Sequence, residues 1–240
     1  MQRDSGRVRV RVRRAVAALA AVGAAAALGG AVATAIPARA AARAIATSAP
    51  FRGSIAPLTV AERAALTPSA WRPGCPVPLA DLRSVRATHW GFDGGVHEGR
   101  LVVNRDVAAR VAAVLRRLFA LRFPIRRMEP IERFGGSDFR SIEADNTSAF
   151  NCRFVDGTRR WSEHAYGRAL DLNPIENPYV ARDGSTAHAA GRPFVDRSLG
   201  RPGMVRPGDT AVRAFAAEGF GWGGRWPGAK DYQHFSASGR

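Results

Sequence analysis

Apolar positions along residues 104–124 recur at helical spacing. Val107, Val111, Val114, Leu115, Leu118 and Leu121 form one stripe. The pattern predicts a long amphipathic helix capped by Asn104 and stopped by Pro124. Before it, Val85 to Phe92 and Val96 to Val103 flank Asp93-Gly94-Gly95, which predicts a β-hairpin. Ile125 to Phe134 reads as a strand. Phe150 to Val155 and Thr158 to Ser162 flank Asp156-Gly157, a second hairpin signal. Thr59 with Glu62 is a capping-box pair that opens a short helix to Leu66, and Pro73, Pro76 and Pro78 keep residues 72–79 extended. Asp209 can cap a helix through Val212, Phe215 and Ala216, ended by Gly219. Residues 41–58 show no period and read as a linker. Residues 180–208, rich in Gly, Pro, Arg and Asp, read as a long surface insertion. Strands and helices do not alternate regularly, so a doubly wound parallel sheet is not expected. The expectation is an α+β fold: one domain over 70–240, an antiparallel sheet flanked by helices, preceded by a linker and short helix over 41–69.

The first forty residues differ in kind. Residues 1–14 carry six arginines and one acid, residues 15–36 carry no charge, and Ala38-Arg39-Ala40 follows as a small-x-small exit. This order reads as an export signal, cleaved near Ala40. The apolar run is long enough to span a bilayer but alanine-rich, so an uncleaved anchor is the alternative. The expected location is outside the cytoplasm: secreted, in the cell envelope or periplasm. The chain has 36 Lys and Arg against 20 Asp and Glu, a formal net charge of +16, and +10 of it lies beyond residue 40. Those later charges are scattered, without the clustered stripe of a nucleic-acid footprint, so no nucleic-acid partner is expected. A basic surface suits a polyanionic envelope. With 46% apolar and 23% charged residues, a wholly disordered chain and a multi-span membrane protein are both excluded.

Two short segments carry chemistry. In Ser162-Glu163-His164-Ala165-Tyr166-Gly167-Arg168-Ala169-Leu170-Asp171, Gly167 permits a tight turn and the following residues alternate as a strand does. The turn can bring the imidazole of His164 over the carboxylate of Asp171. The second segment is Asp231-Tyr232-Gln233-His234. Together they offer two imidazoles and two carboxylates. Catalytic zinc sites use three N or O ligands and keep one position open. Spacing alone also allows each histidine to be a satisfied core or surface residue, and His89, His97 and His188 are left in that class. Trp222 and Trp226 form a substrate wall or pack in the core. Cys75 and Cys152 are the only cysteines; in an exported chain one disulfide between them is expected.

Ser-x-His-x-x-Gly-x-Ala-x-Asp followed by Asp-x-x-His resembles the signature of the zinc D-alanyl-D-alanine carboxypeptidase family, the VanY-like metallopeptidases of hedgehog/DD-peptidase fold. Residues 146–153, 173–179 and 220–224 extend the resemblance, which covers roughly residues 70–236. It implies that His164, Asp171 and His234 are the Zn2+ ligands and that Asp231 activates the attacking water. Many members have Glu at that place, and members that cut inside the stem peptide use Asp. It implies an arginine that steadies the scissile carbonyl; Arg140 is the best match, with Arg133 and Arg153 as substitutes. Ser162 is expected to orient His164. The implied protein is a monomeric hydrolase of peptidoglycan stem peptides, foremost a D-alanyl-D-alanine carboxypeptidase. An L-alanyl-D-glutamate-type endopeptidase is the alternative. A non-catalytic wall-binding module is the rival from another class, and the intact Asp231 speaks against it.

Overall fold

The computed structural model describes residues 50–240, so the expected export signal and the first part of the expected linker lie outside the described residues. The first element is strand β1, Gly53–Pro57, inside the stretch expected to be linker. Its side chains are all exposed, so no apolar alternation marked it. It is held through its backbone, antiparallel to β2 (Leu82–Trp90), with Gly53 opposite Ala87 and Pro57 opposite Arg83. Between them α1, Val60–Leu66, carries the expected capping box at Thr59 and Glu62. The Glu62 carboxylate also accepts from Arg86 at 2.9 Å and pairs with Arg100 at 3.3 Å, which fastens α1 to the outer face of the sheet.

The predicted hairpin is present. β2 pairs antiparallel with β3, Val96–Asn104, and Gly94 takes the positive φ of 73° that the turn requires. Helix α2, Ala108–Ala120, lays Val111, Val114, Leu115 and Leu118 against Val85, Leu101 and Val103 of the hairpin. Two details differ from expectation. The helix begins after Val107, because Asn104 is still in β3, with its N–H donating to the carbonyl of Gly167. Leu121 lies past the last turn and is exposed.

Residues 125–134 do not form a long strand. β4 is Arg127–Met128 alone, since Pro130 has no N–H to extend a ladder and opens a 3₁₀ turn over Ile131–Phe134. After helix α3, Asp138–Glu143, strand β5 (Asn146–Thr147) pairs with β4 in parallel. The second hairpin reduces to a turn with one bridge, Phe154 opposite Trp161. The C-terminal half supplies β6 (Ala169–Asp171), β7 (Tyr179–Val180), helix α4 (Thr210–Ala217), β8 (Gly221–Trp222), β9 (Lys230–Asp231) and β10 (His234–Ser236). Here β10 lies between β6 and β8, antiparallel to both, and β7 pairs with β9. Phe215 of α4 stacks on Phe235 of β10 at 3.7 Å between ring centroids, which packs this small sheet into the core shared with α2. Asp209 precedes α4, but its carboxylate accepts from the N–H of Arg206 and not from the helix.

Residues 180–208 are not all surface. Met204 and Val205 are buried, and the guanidinium of Arg197 donates to the carbonyls of Glu176 and Val205 and to Oδ1 of Asn177. The architecture is α+β, with antiparallel sheets, few helices and one parallel pair. Among the described residues no helix is long and apolar enough to cross a membrane.

A second buried cluster joins Leu58, Leu66, Val77, Leu82, Val102, Ile131 and Phe150. The expected disulfide, Cys75–Cys152, closes it across 77 positions of chain, with Cα atoms 5.9 Å apart. Cross-linking so long a loop restricts the unfolded chain. Replacing both cysteines by serine is expected to cost roughly 2–5 kcal/mol, read by denaturant unfolding. An unchanged midpoint would show that the bridge constrains nothing.

Candidate metal centre and its cleft

The site begins with a local event at Gly167. Ser162 caps a 3₁₀ turn, Glu163–Tyr166, and its Oγ accepts the N–H of His164 at 3.3 Å. Gly167 ends the turn at φ 65°, and a Cβ there would meet the backbone N of Asn104 at 2.7 Å. Only glycine therefore lets the chain turn back into β6 this close to β3. The turn sets His164 above Asp171. The register of β10 on β6 then places His234 directly opposite Asp171.

All three side chains are buried. His164 Nε2 lies 3.2 Å from Asp171 Oδ2, His234 Nδ1 lies 3.2 Å from Asp171 Oδ1, and the two ring nitrogens are 3.2 Å apart. One ligand atom from each of the three lies within 4.8 Å of the other two. The outer ring nitrogens have fixed partners: His164 Nδ1–H donates to the carbonyl of Ala149 at 2.6 Å, and His234 Nε2–H to that of Arg240 at 3.0 Å. Such outer bonds fix the tautomer and orientation of metal-binding imidazoles. With both outer protons in place, two nitrogen lone pairs and a carboxylate converge with no proton among them. A cation bound between them resolves that repulsion. Without a metal, a proton on His234 must do so. Burial disfavours that proton, but the hydrogen bond and charge of Asp171, with the charge of Asp231, outweigh burial and push His234 up to about 9. Asp171 shows the converse: burial raises it, and the two imidazoles hold it well below the usual carboxylate range.

Asp231 stands beside this cluster, at the end of β9. Burial, joined by repulsion from Asp171, pushes its carboxyl up to about 6 against the pull of both histidines. Its Oδ1 is shielded from solvent and has no hydrogen-bond partner. A buried carboxylate oxygen without a partner is costly, and such groups concentrate where a substrate or water is to be held. Gly223 makes the close approach possible, since a Cβ there would meet the carbonyl oxygen of Asp231 at 2.6 Å.

The four residues open into one cleft of about 760 Å³. The cleft sorts the remaining expectations. Trp222 is in the core, its Nε1–H donating to the carbonyl of Tyr232 at 2.8 Å, whereas Trp226 lines the cleft with its ring 5.4 Å from that of His234. Arg140, the arginine expected to serve the scissile carbonyl, is engaged elsewhere in this structure. Its guanidinium donates twice to the carbonyl of Phe134, at 3.0 and 2.7 Å, and does not line the cleft. Ser137 caps α3, and that cap fixes the helix so that residue 140 faces the preceding 3₁₀ turn. Arg133 lies on a separate groove by β1. Arg153 does line the cleft, held by Asp138 at 2.9 Å, with its buried Nε unpartnered. His188, for which the sequence offers only a core or surface role, lines the cleft as well, tied to Glu143 of α3. No spacing in the sequence marked it, because it arrives on the long 180–208 segment.

Comparison with known proteins gives one match. The family model described as D-alanyl-D-alanine carboxypeptidase matches residues 156–237. The matched span holds His164, Asp171, Asp231 and His234 but neither Arg140 nor Arg153, and it is shorter than the 70–236 over which the resemblance was expected. No curated protein and no solved structure matches the chain. The match supports a peptidase, and the His-Asp-His cluster fits the metal such peptidases use.

Proposed function

We propose that the chain is an exported zinc peptidase that hydrolyses amide bonds of peptidoglycan stem peptides, foremost the terminal D-alanyl-D-alanine bond. The observation that carries this reading is the convergence of His164 Nε2, the Asp171 carboxylate and His234 Nδ1 beside Asp231 Oδ1, which lacks a partner. Two imidazoles and one carboxylate are a donor set typical of catalytic zinc. Bound there, the ion would act as a Lewis acid toward water and the scissile carbonyl.

The protein's own groups supply the rest. Asp231 accepts a proton from the attacking water and passes it to the leaving amine, a task for which its unpartnered Oδ1 is free. Arg153 lies in the same cleft, held by Asp138, and is the arginine we assign to the developing oxyanion. Ser162 and Ala149 keep His164 in place through its N–H and its Nδ1. An apolar signal at residues 15–36 and the disulfide agree with an extracytoplasmic location. The second reading, an endopeptidase between L-alanine and a D-glutamate-type residue, is favoured by Asp231 standing where many carboxypeptidases have Glu. Mass analysis of digested muropeptides separates the two: loss of one alanine marks the carboxypeptidase, and release of a shortened peptide from the sugar-bound alanine marks the endopeptidase.

The reassignment from Arg140 to Arg153 has its own test. Arg153→Ala should lower kcat and kcat/KM together, on the order of 10²-fold, as loss of a transition-state contact does. Arg140→Ala should leave both nearly unchanged. The opposite pattern in steady-state kinetics would restore Arg140 to the site.

A further inference from the structure

We infer that the cleft holds a saccharide subsite, so that the preferred substrate is a stem peptide still joined to its glycan; this rests on the peptidase reading above. Among the described residues three aromatic side chains are exposed: Phe139 at 59%, Tyr179 at 46% and Phe154 at 38%. All three are at the cleft. Phe139 and Tyr179 line it directly, and Phe154 stacks on the lining residue Trp161, with ring centroids 4.0 Å apart and planes 22° from parallel. Through Trp161 this stacked pair belongs to the cleft that holds the metal centre. Its inner edge packs on the second buried cluster, which fixes the platform from behind.

Leaving aromatic faces in water is unfavourable, and their gathering at one cleft marks a surface built to be covered. The chemistry of the cover follows from the neighbours. Arg160, Asp138 and Asp156 line the same cleft. A purely apolar side chain bound there would strip water from these charges without replacing it. A pyranose ring fits both features at once: its C–H face lies on an aromatic plane, and its equatorial hydroxyls and acetamido groups meet charged side chains at the ring edge. A stem peptide carries such rings at its N-terminal end only.

The test compares kcat/KM for one stem peptide in two forms, joined to its N-acetylated disaccharide and freed from sugar. The joined form should be the better substrate by about tenfold or more, the scale of one aromatic contact, with most of the difference in KM. Phe154→Ala should bring the ratio of the two values toward one, and Phe154→Tyr, which keeps the ring, should preserve it. Equal kcat/KM for both forms in the unaltered protein would overturn the subsite and leave the peptidase reading standing. A large ratio that survives Phe154→Ala would also overturn it, since the sugar would then bind elsewhere. Hydrolysis of neither form would overturn the peptidase reading and this inference with it.

Discussion

Asp231→Ala is expected to keep the metal and the fold but lose turnover, on the order of 10²–10⁴-fold, the usual contribution of a positioned general base. The fold should survive because Asp231 Oδ1 makes no hydrogen bond that the truncation would break. Asp231 is not among the three converging donors, so the metal should still bind. Zinc analysis and steady-state kinetics on the same preparation check both halves. Near-normal hydrolysis would move the role to another group, and Glu163, which lines the cleft one residue before His164, is the next to examine.

The second large effect is on the metal. His164→Ala or His234→Ala should abolish zinc binding, because either change removes one of three donors and leaves Asp171 buried with a single imidazole. Full zinc content in the double variant would remove the site. Metal uptake also has a pH signature. Without metal, His234 keeps its proton up to about pH 9, and that proton must leave before Nδ1 can bind a cation. Zinc binding near pH 7.5 should therefore release about one proton, measurable by calorimetry in buffers of different ionisation enthalpy. Apparent affinity should rise with pH and level off above about 9. The linked stability has a definite sign. A histidine raised above its ordinary value stabilises the metal-free fold below pH 6.5, and this contribution is lost as pH rises toward 9. Zinc-loaded protein should not show that loss.

The sequence displayed some of this site plainly and hid the rest for physical reasons. Gly167 could be read as a turn because only glycine sits easily at its positive φ, and the alternation into Asp171 gave the direction of the strand. The pairing of His234 with Asp171 could not be derived in that way. β6 and β10 are three residues each, too short for a periodic pattern, so their register was not legible and the grouping of His234 with Asp171 came only as what the resemblance implies. Strand β1 was invisible because an edge strand exposed on every side needs backbone partners and no apolar face. Resemblance ranked Arg140 above Arg153, but neither letter carries its surroundings. What separates them is the Phe134 carbonyl that occupies the first and the cleft that receives the second. Arg197 and Val205 show the same limit in the 180–208 segment, where a polar composition conceals a buried anchor.

The most direct measurement of the peptidase activity is the masses of products after zinc-loaded protein is incubated with disaccharide pentapeptides. The expected result is loss of one terminal alanine, or cleavage beside the sugar-bound alanine, in either case absent after chelation and strongly slowed for Asp231→Ala. Intact pentapeptide after prolonged incubation with folded, zinc-loaded protein would contradict it.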